Sequence, residues 1–388
     1  MIFKKEKQVL EWIEKNVVII ALVISVIASI VIRINLKDFS SSDFELALHP
    51  WFQYYQANGI EGLKTGIGDY TKFYQFLIWG FTKIPVNDLY QYKILSAIFD
   101  YALAALVAYF VYQYCGKNKN NAILSAIIVV MSPLVLLNSG AWAQCDSMYV
   151  ICCLAALVAL IKEKNLLAFV MLGIGFTIKI QMIFIIPFIV LYYVIKKKFS
   201  IIYFAIIPAI MMLSTLPAII MGASPFTIFS DYTSQAEKFT KMTLNYPSFW
   251  QILNDGQTVD SLDTMKLMAI ITTVVVLGIQ MLYWINKKAE FTSKNMVLMA
   301  FLLSYEMVLF LPLMHERYGF LYEILALIII FYNKKTIPLA IGLILLSMQT
   351  YGCFLFDAYV NLQLISVFNM VIFVAYLVIL NRMILGER

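Results

Sequence analysis

Long apolar segments alternate with short polar connections along almost the whole chain. Most segments are about as long as a helix that crosses the hydrocarbon core of a bilayer, and none contains more than two charged residues. The pattern predicts an all-α polytopic membrane protein of about twelve transmembrane helices, with residues 1–388 in a single integral membrane domain. The predicted spans are at about 17–34, 91–114, 122–138, 147–161, 166–178, 181–195, 199–221, 264–285, 296–313, 318–332, 336–352 and 362–381.

Two segments depart from the pattern of single spans. The apolar run 166–195 is too long for one span and is interrupted at Lys179, Ile180 and Gln181, so we predict two short helices that meet at a polar apex. Segment 70–85 is rich in aromatic residues, is too short to span, and ends in a proline. We predict that it forms an interfacial helix along the outer leaflet, in the first outer loop.

The distribution of lysine and arginine predicts the orientation of the chain. With the N-terminus in the cytoplasm, every cytoplasmic connection is basic and the C-terminus is also inside, which satisfies the positive-inside rule. No small-residue cleavage site follows the first apolar stretch, so we interpret it as a retained span and not as a signal peptide. The basic residues of the cytoplasmic connections are Lys117, Lys119, Lys162, Lys164, Lys196, Lys197, Lys198, Lys287, Lys288, Lys294, Lys334 and Lys335.

The opposite side of the membrane carries two long loops, at about 35–90 and 222–263, and most of the acidic residues. The cytoplasmic connections are too short to hold an active site. We therefore expect any chemistry on the extracytoplasmic face of the cell membrane. The outer acidic residues are Asp38, Asp43, Glu45, Glu61, Asp69, Asp88, Asp146, Asp231, Glu237, Asp255, Asp260, Asp263, Glu316 and Asp357.

Composition excludes several classes of protein. Of the 388 residues, 62% are hydrophobic and 13% are charged, whereas a soluble domain is about half apolar and a quarter charged. The net charge of +6 reflects the cytoplasmic lysines, so it does not indicate a nucleic-acid partner. The five cysteines show no metal-ligand spacing, and no glycine-rich nucleotide motif is present. We therefore predict no metal and no cofactor.

Two polar clusters belong to the first half of the chain. Asp43 and His49 lie beside aromatic residues just after the first span, where a carboxylate near the headgroups can act as a general base. A solvated loop acid is the alternative interpretation of Asp43. The second cluster contains Trp142, Gln144 and Asp146, which together offer a stacking surface, an amide and a carboxylate for sugar recognition. Asp146 could instead be an acid at a helix N-terminus, favoured by the helix dipole.

Two further clusters carry cations. Lys179 and Gln181 form the apex of the interrupted run, and an ammonium between apolar helices is costly unless it meets an anion. We interpret this as contact with a lipid-borne phosphate, with snorkelling to the headgroups as the alternative. Arg317 offers planar bidentate donors that suit phosphate. It belongs to a dense polar run between two apolar spans, made of His315, Glu316, Arg317 and Tyr318.

Taken together, these clusters resemble those of the GT-C glycosyltransferases, in particular the bacterial group related to the GPI-anchor mannosyltransferases and the lipid-linked-oligosaccharide glucosyltransferases. The resemblance covers most of residues 17–335. It depends on SDFELALHPWF after the first span, on SGAWAQCDSMY, on GIGFTIKIQMIFIIPF and on MHERYGFLYEILAL. This group often has Trp-Gly-Gln where the present chain has Ala143 in place of the glycine.

The resemblance implies an inverting transfer of one sugar on the outer face from a polyprenyl-phosphate-linked monosaccharide to a cell-surface glycan or lipid-linked acceptor. It implies that Asp43 is the catalytic base and that Asp146 belongs to the substrate site. It also implies that Lys179 and Arg317 face the lipid phosphate. The residues expected to bind substrate are His49, Trp142, Gln144, Asp146, Lys179, Gln181, His315, Glu316, Arg317 and Tyr318.

Two other functions remain open. A polysaccharide polymerase or ligase also has about a dozen spans and long outer loops, but it would join preformed glycans. A lipid flippase or transporter would show internal repeats and polar residues near mid-membrane. We find no repeat, and Asp100 and Glu306 are the candidates for deep polar residues. A membrane glycosyltransferase therefore agrees best with the sequence.

Overall fold

The computed structural model describes residues 2–227, 240–254 and 262–387, and most of these residues are helical. The outer acidic residues Asp231, Glu237, Asp255 and Asp260 lie outside the described residues. The α-helices are α1 (Ile2–Asn35), α2 (His49–Asn58), α3 (Lys72–Phe81), α4 (Asp88–Tyr114), α5 (Lys119–Met131), α6 (Pro133–Gly140), α7 (Asp146–Ile161), α8 (Asn165–Ile178), α9 (Ile186–Lys196), α10 (Ile206–Ser214), α11 (Leu216–Ile220), α12 (Phe249–Asn254), α13 (Leu262–Asn286), α14 (Ser293–Phe310), α15 (Phe320–Ile329), α16 (Ile337–Phe356) and α17 (Leu362–Leu385).

Among the described residues, six helices are long and apolar enough to cross a membrane, and the pair α5 and α6, bent by 46°, makes a seventh if it is one span. Pro133 at the start of α6 explains the bend, since a proline cannot continue the hydrogen bonding of α5. The other predicted spans correspond to apolar helices of 10–17 residues. The total of about twelve crossings therefore stays a prediction.

The helices differ in how much of their surface the protein covers. The apolar part of α1 is only 6% buried, whereas that of α14 is 89% buried. In water, the exposed isoleucines and valines of α1 would be unfavourable, but in a bilayer they meet hydrocarbon. Helix α14 is thus the centre of the bundle, and it packs against α9, α13, α15 and α17.

The predicted interruption at residues 179–181 is confirmed. Helix α8 ends at Ile178, Lys179 is extended, and a short 3₁₀-helix over Ile180–Ile185 leads into α9. Lys179 therefore lies at the junction of two helices, where its side chain can leave the helical surface.

The segment predicted to be an interfacial helix is also helical. Thr71 caps α3 by accepting a hydrogen bond from the backbone N–H of Tyr74. The location of α3 along the outer leaflet stays a prediction.

A short parallel strand pair joins the segment before α12 to the α14–α15 loop. Strand β1 (Thr243–Leu244) pairs with β2 (Met314–His315). Two backbone hydrogen bonds flank the pair, from Leu313 N to the Met242 carbonyl at 2.8 Å and from Glu316 N to the Leu244 carbonyl at 3.1 Å. The polar run 315–318 is thereby held in one position between α14 and α15.

Candidate active site

A cavity of about 350 Å³ brings together residues from all four polar clusters. The clusters come from the loop after α1, the α6–α7 loop, the α8–α9 junction and the α14–α15 loop. The predicted site residues that line it are Asp43, Gln144, Lys179, Gln181, His315, Arg317 and Tyr318. Four segments that are far apart in sequence therefore share one site.

Asp43 is held in this cavity by three donors. It precedes a single turn of π-helix over Phe44–Leu48, and its side chain is about one-third exposed. Its Oδ2 accepts hydrogen bonds from Trp142 Nε1 at 2.8 Å, from Gln144 Nε2 at 3.2 Å and from Arg317 Nη1 at 3.1 Å. Among the described residues, Oδ1 accepts no hydrogen bond. This oxygen can therefore accept a proton from a molecule in the cavity.

Trp142 positions Asp43 and does not line the cavity. Its ring is fully buried and stacks on Phe354 with the ring centroids 4.5 Å apart. The guanidinium of Arg317 lies over the ring at 5.1 Å from its centroid. The stacking surface for sugar that the sequence suggested is thus covered. Trp142 cannot stack on a sugar because its indole ring packs in the core, and only its N–H reaches the site.

Lys179 is paired with a carboxylate. Its ammonium donates to Asp146 Oδ1 at 2.5 Å and to Gln144 Oε1 at 2.9 Å, and its side chain is only 4% exposed. Lys179 therefore has a carboxylate partner inside the protein and does not extend to the headgroups, while its contact with a lipid phosphate stays a prediction. A ligand that reaches Lys179 would share the ammonium with Asp146.

Asp146 is buried beneath the cavity at the start of α7. Besides Lys179, it accepts a hydrogen bond from Asn138 Nδ2 at 2.6 Å, and Arg317 Nε lies 3.8 Å from its Oδ2. It is also a first-turn helix acid, which the helix dipole stabilises. The structure thus confirms Asp146 as a helix N-terminal acid, and its role in substrate binding stays a prediction.

Arg317 connects the two carboxylates. Burial lowers the pKa of its guanidinium, but Asp43 and Asp146 raise it by more, so the pKa lies above its usual value. In this network the two positive charges of Lys179 and Arg317 neutralise the two negative charges of Asp43 and Asp146. Paired buried charges are costly to separate, so the network holds the four segments in a fixed arrangement.

Of the predicted site residues near Arg317, some line the cavity and one lies behind its wall. Tyr318 lines the cavity. Gln181 also lines the cavity, and its buried Oε1 has no partner among the described residues.

Glu316 is 2% exposed and lies behind the cavity wall, with His315 Nδ1 at 3.9 Å. Burial raises the pKa of Glu316 to about 8. A direct role in substrate binding, expected from the sequence, does not agree with the position of Glu316.

His49 does not belong to the cavity. Its Nδ1 lies 2.8 Å from Asp88 Oδ2, and its Nε2 lies 2.9 Å from Gln53. The pair with Asp88 joins α2 to α4. The structure places His49 outside the cavity because α2 directs this side chain towards α4, and its expected binding role is left without support from the cavity.

Sequence reasoning missed several residues around the cavity. Tyr70 donates to Gln144 Oε1 at 3.0 Å, and the ammonium of Lys179 lies 5.7 Å from the centroid of the Tyr70 ring. Trp51 and Asp69 also line the cavity. The aromatic content of segment 70–85 was a signal, but it was interpreted as a membrane interface and not as a site. Within the described residues, no group of three or more His, Cys, Asp or Glu side chains could hold a metal ion.

The long apolar helices, and a cavity at their ends with two acids and two cations, define a multi-pass membrane protein with a built polar site. The sequence model of glycosyltransferase family 87 matches residues 70–312, which is more than half of the chain. The chain belongs to this family of GT-C-type membrane glycosyltransferases, so the resemblance stated above is confirmed. No curated protein matches the chain.

The matched segment includes Gln144, Asp146 and Lys179 but ends before Arg317 and begins after Asp43. The cavity therefore includes residues, such as Asp43 and Arg317, on which the family match does not depend. The cavity joins residues inside the matched segment to residues on both sides of it.

Proposed function

We propose that this membrane glycosyltransferase uses a polyprenyl-phosphate-linked monosaccharide as its donor. We further propose that it transfers the sugar, with inversion, to a cell-surface glycan or lipid-linked acceptor on the outer face of the cell membrane. The observation that carries the proposal is the cavity in which the Asp43 carboxylate lies beside Arg317 and Lys179. A proton acceptor and two groups that favour a phosphate are what this reaction needs within one site.

The proposed reaction has one displacement step. The acceptor hydroxyl attacks the anomeric carbon, and the new glycosidic C–O bond forms as the bond from the anomeric carbon to the phosphate oxygen breaks. Asp43 Oδ1 takes the proton of the hydroxyl. The departing polyprenyl phosphate keeps the bonding electrons and gains negative charge, which Arg317 and Lys179 stabilise. Attack from the side opposite the leaving group inverts the anomeric centre.

A lipid donor agrees with the apolar wall of the cavity. Ile178, Ile180 and Leu313 line it next to Lys179 and Arg317. A prenyl chain that leaves the cavity along such a wall would reach hydrocarbon without passing through water. Gln181 Oε1, buried without a partner among the described residues, offers an acceptor for a donor hydroxyl.

Purified protein incubated with a panel of synthetic polyprenyl-phosphate monosaccharides tests the proposal. We expect release of polyprenyl phosphate with one sugar of the panel and the appearance of a product that is larger by one sugar. Transfer of a preformed oligosaccharide block would instead identify a polymerase or ligase. Turnover with a nucleotide-linked sugar alone would contradict the lipid donor.

A further inference from the structure

A second cavity of about 370 Å³ lies between α1 and α4. It shares no lining residue with the candidate active site. We call it the α1–α4 groove, and its apolar walls are mostly isoleucine. These isoleucines are about half exposed because nothing in the described protein covers them, and they are Ile30, Ile34, Ile94 and Ile98.

Cations gather at the end of the α1–α4 groove where α1 finishes. Arg33, Lys37 and Lys93 all line it. The side chain of Arg33 is 11% exposed, and its Nη2 donates to Asp100 Oδ2 at 2.7 Å. Its buried Nε has no partner among the described residues. The guanidinium therefore has an unused donor beside the groove.

The Lys93 ammonium is held by uncharged groups. It donates to the backbone carbonyls of Leu36 at 2.6 Å, Lys37 at 3.2 Å and Phe39 at 2.6 Å, and so caps the chain as it leaves α1. Carbonyls satisfy the three ammonium protons but leave the positive charge in place. Lys37 is half exposed and pairs with Asp38 at 2.8 Å. Three cations thus face two carboxylates, Asp38 and Asp100, and the end of the groove is positive.

From this combination we propose that the α1–α4 groove binds an anionic phospholipid, with one acyl chain between α1 and α4 and the phosphate beside Arg33 and Lys37. The apolar walls suit hydrocarbon, and the positive end selects a headgroup with a net negative charge over a zwitterionic one. The site is separate from the proposed glycosyl transfer, so it stands or fails independently of the donor assignment.

Native mass spectrometry of the purified full chain tests this proposal. The probes are phosphatidylglycerol and phosphatidylcholine of the same chain length, and polyprenyl phosphate is added in a third arm. One surface cation near an anionic lipid contributes about fivefold in affinity. We expect phosphatidylglycerol to bind at least about fivefold tighter than phosphatidylcholine, and Lys37→Gln to lower its occupancy by a similar factor. Lys83→Gln, at an exposed lysine outside the groove, is the matched control and should leave the occupancy unchanged.

A groove-filling variant tests the acyl-chain part. Ile98→Trp, on the lipid-facing surface of α4, should displace phosphatidylglycerol without disturbing the core. Ile24→Trp, at an exposed position of α1 outside the groove, should leave phosphatidylglycerol bound. Equal binding of the two phospholipids, or unchanged occupancy in both Lys37→Gln and Ile98→Trp, would overturn the proposal. Preferential retention of polyprenyl phosphate in the groove would overturn the phospholipid assignment.

Discussion

Arg317 Nη1 donates to Asp43 Oδ2 at 3.1 Å, although the two residues are 274 positions apart in sequence. This contact joins the first outer loop to the α14–α15 loop and orients the carboxylate so that Oδ1 is left for the cavity. Arg317 also approaches Asp146, which holds Lys179. A charge network therefore links the proposed base to the proposed phosphate contacts.

Replacing Asp43 with asparagine should abolish general-base assistance. We expect Asp43→Asn to lower kcat by about 10²–10⁴-fold, because an amide cannot take the acceptor proton. Donor KM should change little, since Lys179 remains in place. Steady-state kinetics with the donor found in the panel measure both constants. Asp38→Asn, at an exposed acid of the same loop, is the control, and near-full turnover in Asp43→Asn would show that another group is the base.

Breaking the Lys179–Asp146 pair should lower the stability and also raise the donor KM, and a double variant should distinguish the two effects. Lys179→Gln leaves Asp146 buried without its cation, which typically costs about 3–5 kcal/mol. The double variant Lys179→Gln/Asp146→Asn should recover part of the thermal stability. Both variants should keep a donor KM raised by about ten- to a hundredfold, because a charge-assisted contact contributes about 1.5–3 kcal/mol. If the double variant regains the original donor KM, Lys179 acts only as a structural partner of Asp146.

Ala143 has a left-handed backbone, with φ of 60°. An L-residue other than glycine is disfavoured there by about 1–2 kcal/mol. We expect Ala143→Gly to raise stability by up to about 1 kcal/mol, part of the gain being offset by the greater freedom of glycine in the unfolded chain. Activity should be retained. Ala141→Gly, at a φ of −94°, is the matched control and should destabilise, as measured by thermal inactivation in detergent.

Glu316 should make stability depend on pH. Its pKa in the folded protein is about 8, above the ordinary value of 4.5, because burial disfavours the carboxylate. Between these two values the unfolded chain loses the proton first, so the free energy of unfolding falls as pH rises and levels off above pH 8. Glu316→Gln should flatten this decline in the inactivation midpoint. Glu45→Gln, at an exposed acid, should not alter the profile, and an equal decline in Glu316→Gln would assign the effect to another group.

Cysteine labelling tests the orientation in the membrane. In a cysteine-free background, Glu61→Cys should react with a membrane-impermeant maleimide in intact cells. Lys288→Cys should react only after permeabilisation, because the basic connections are predicted inside. Both positions are exposed, so access to the reagent reports the side of the membrane. Labelling of position 61 only after permeabilisation would contradict an outer-face active site.

The apolar segments and the chemistry of the clusters were readable from sequence because both are local properties. An apolar stretch must be helical in hydrocarbon, where each backbone N–H and carbonyl needs a partner within its own segment. The interruption at Lys179 was readable for the same reason, since a charge and an amide stand together between apolar residues. The family resemblance added the likeness of the four clusters to a known site.

Sequence by itself thus determined the helical membrane class, the break at Lys179 and the four clusters that supply the site. Only the tertiary structure decided which partners the charges take, since pairs such as Arg317 with Asp43 depend on how distant segments pack. It placed Trp142 in the core and His49 beside Asp88, where the sequence had suggested substrate contacts. The physical reason is that a side chain's role depends on burial and on which neighbour satisfies it, and these are set by contacts that no local pattern encodes.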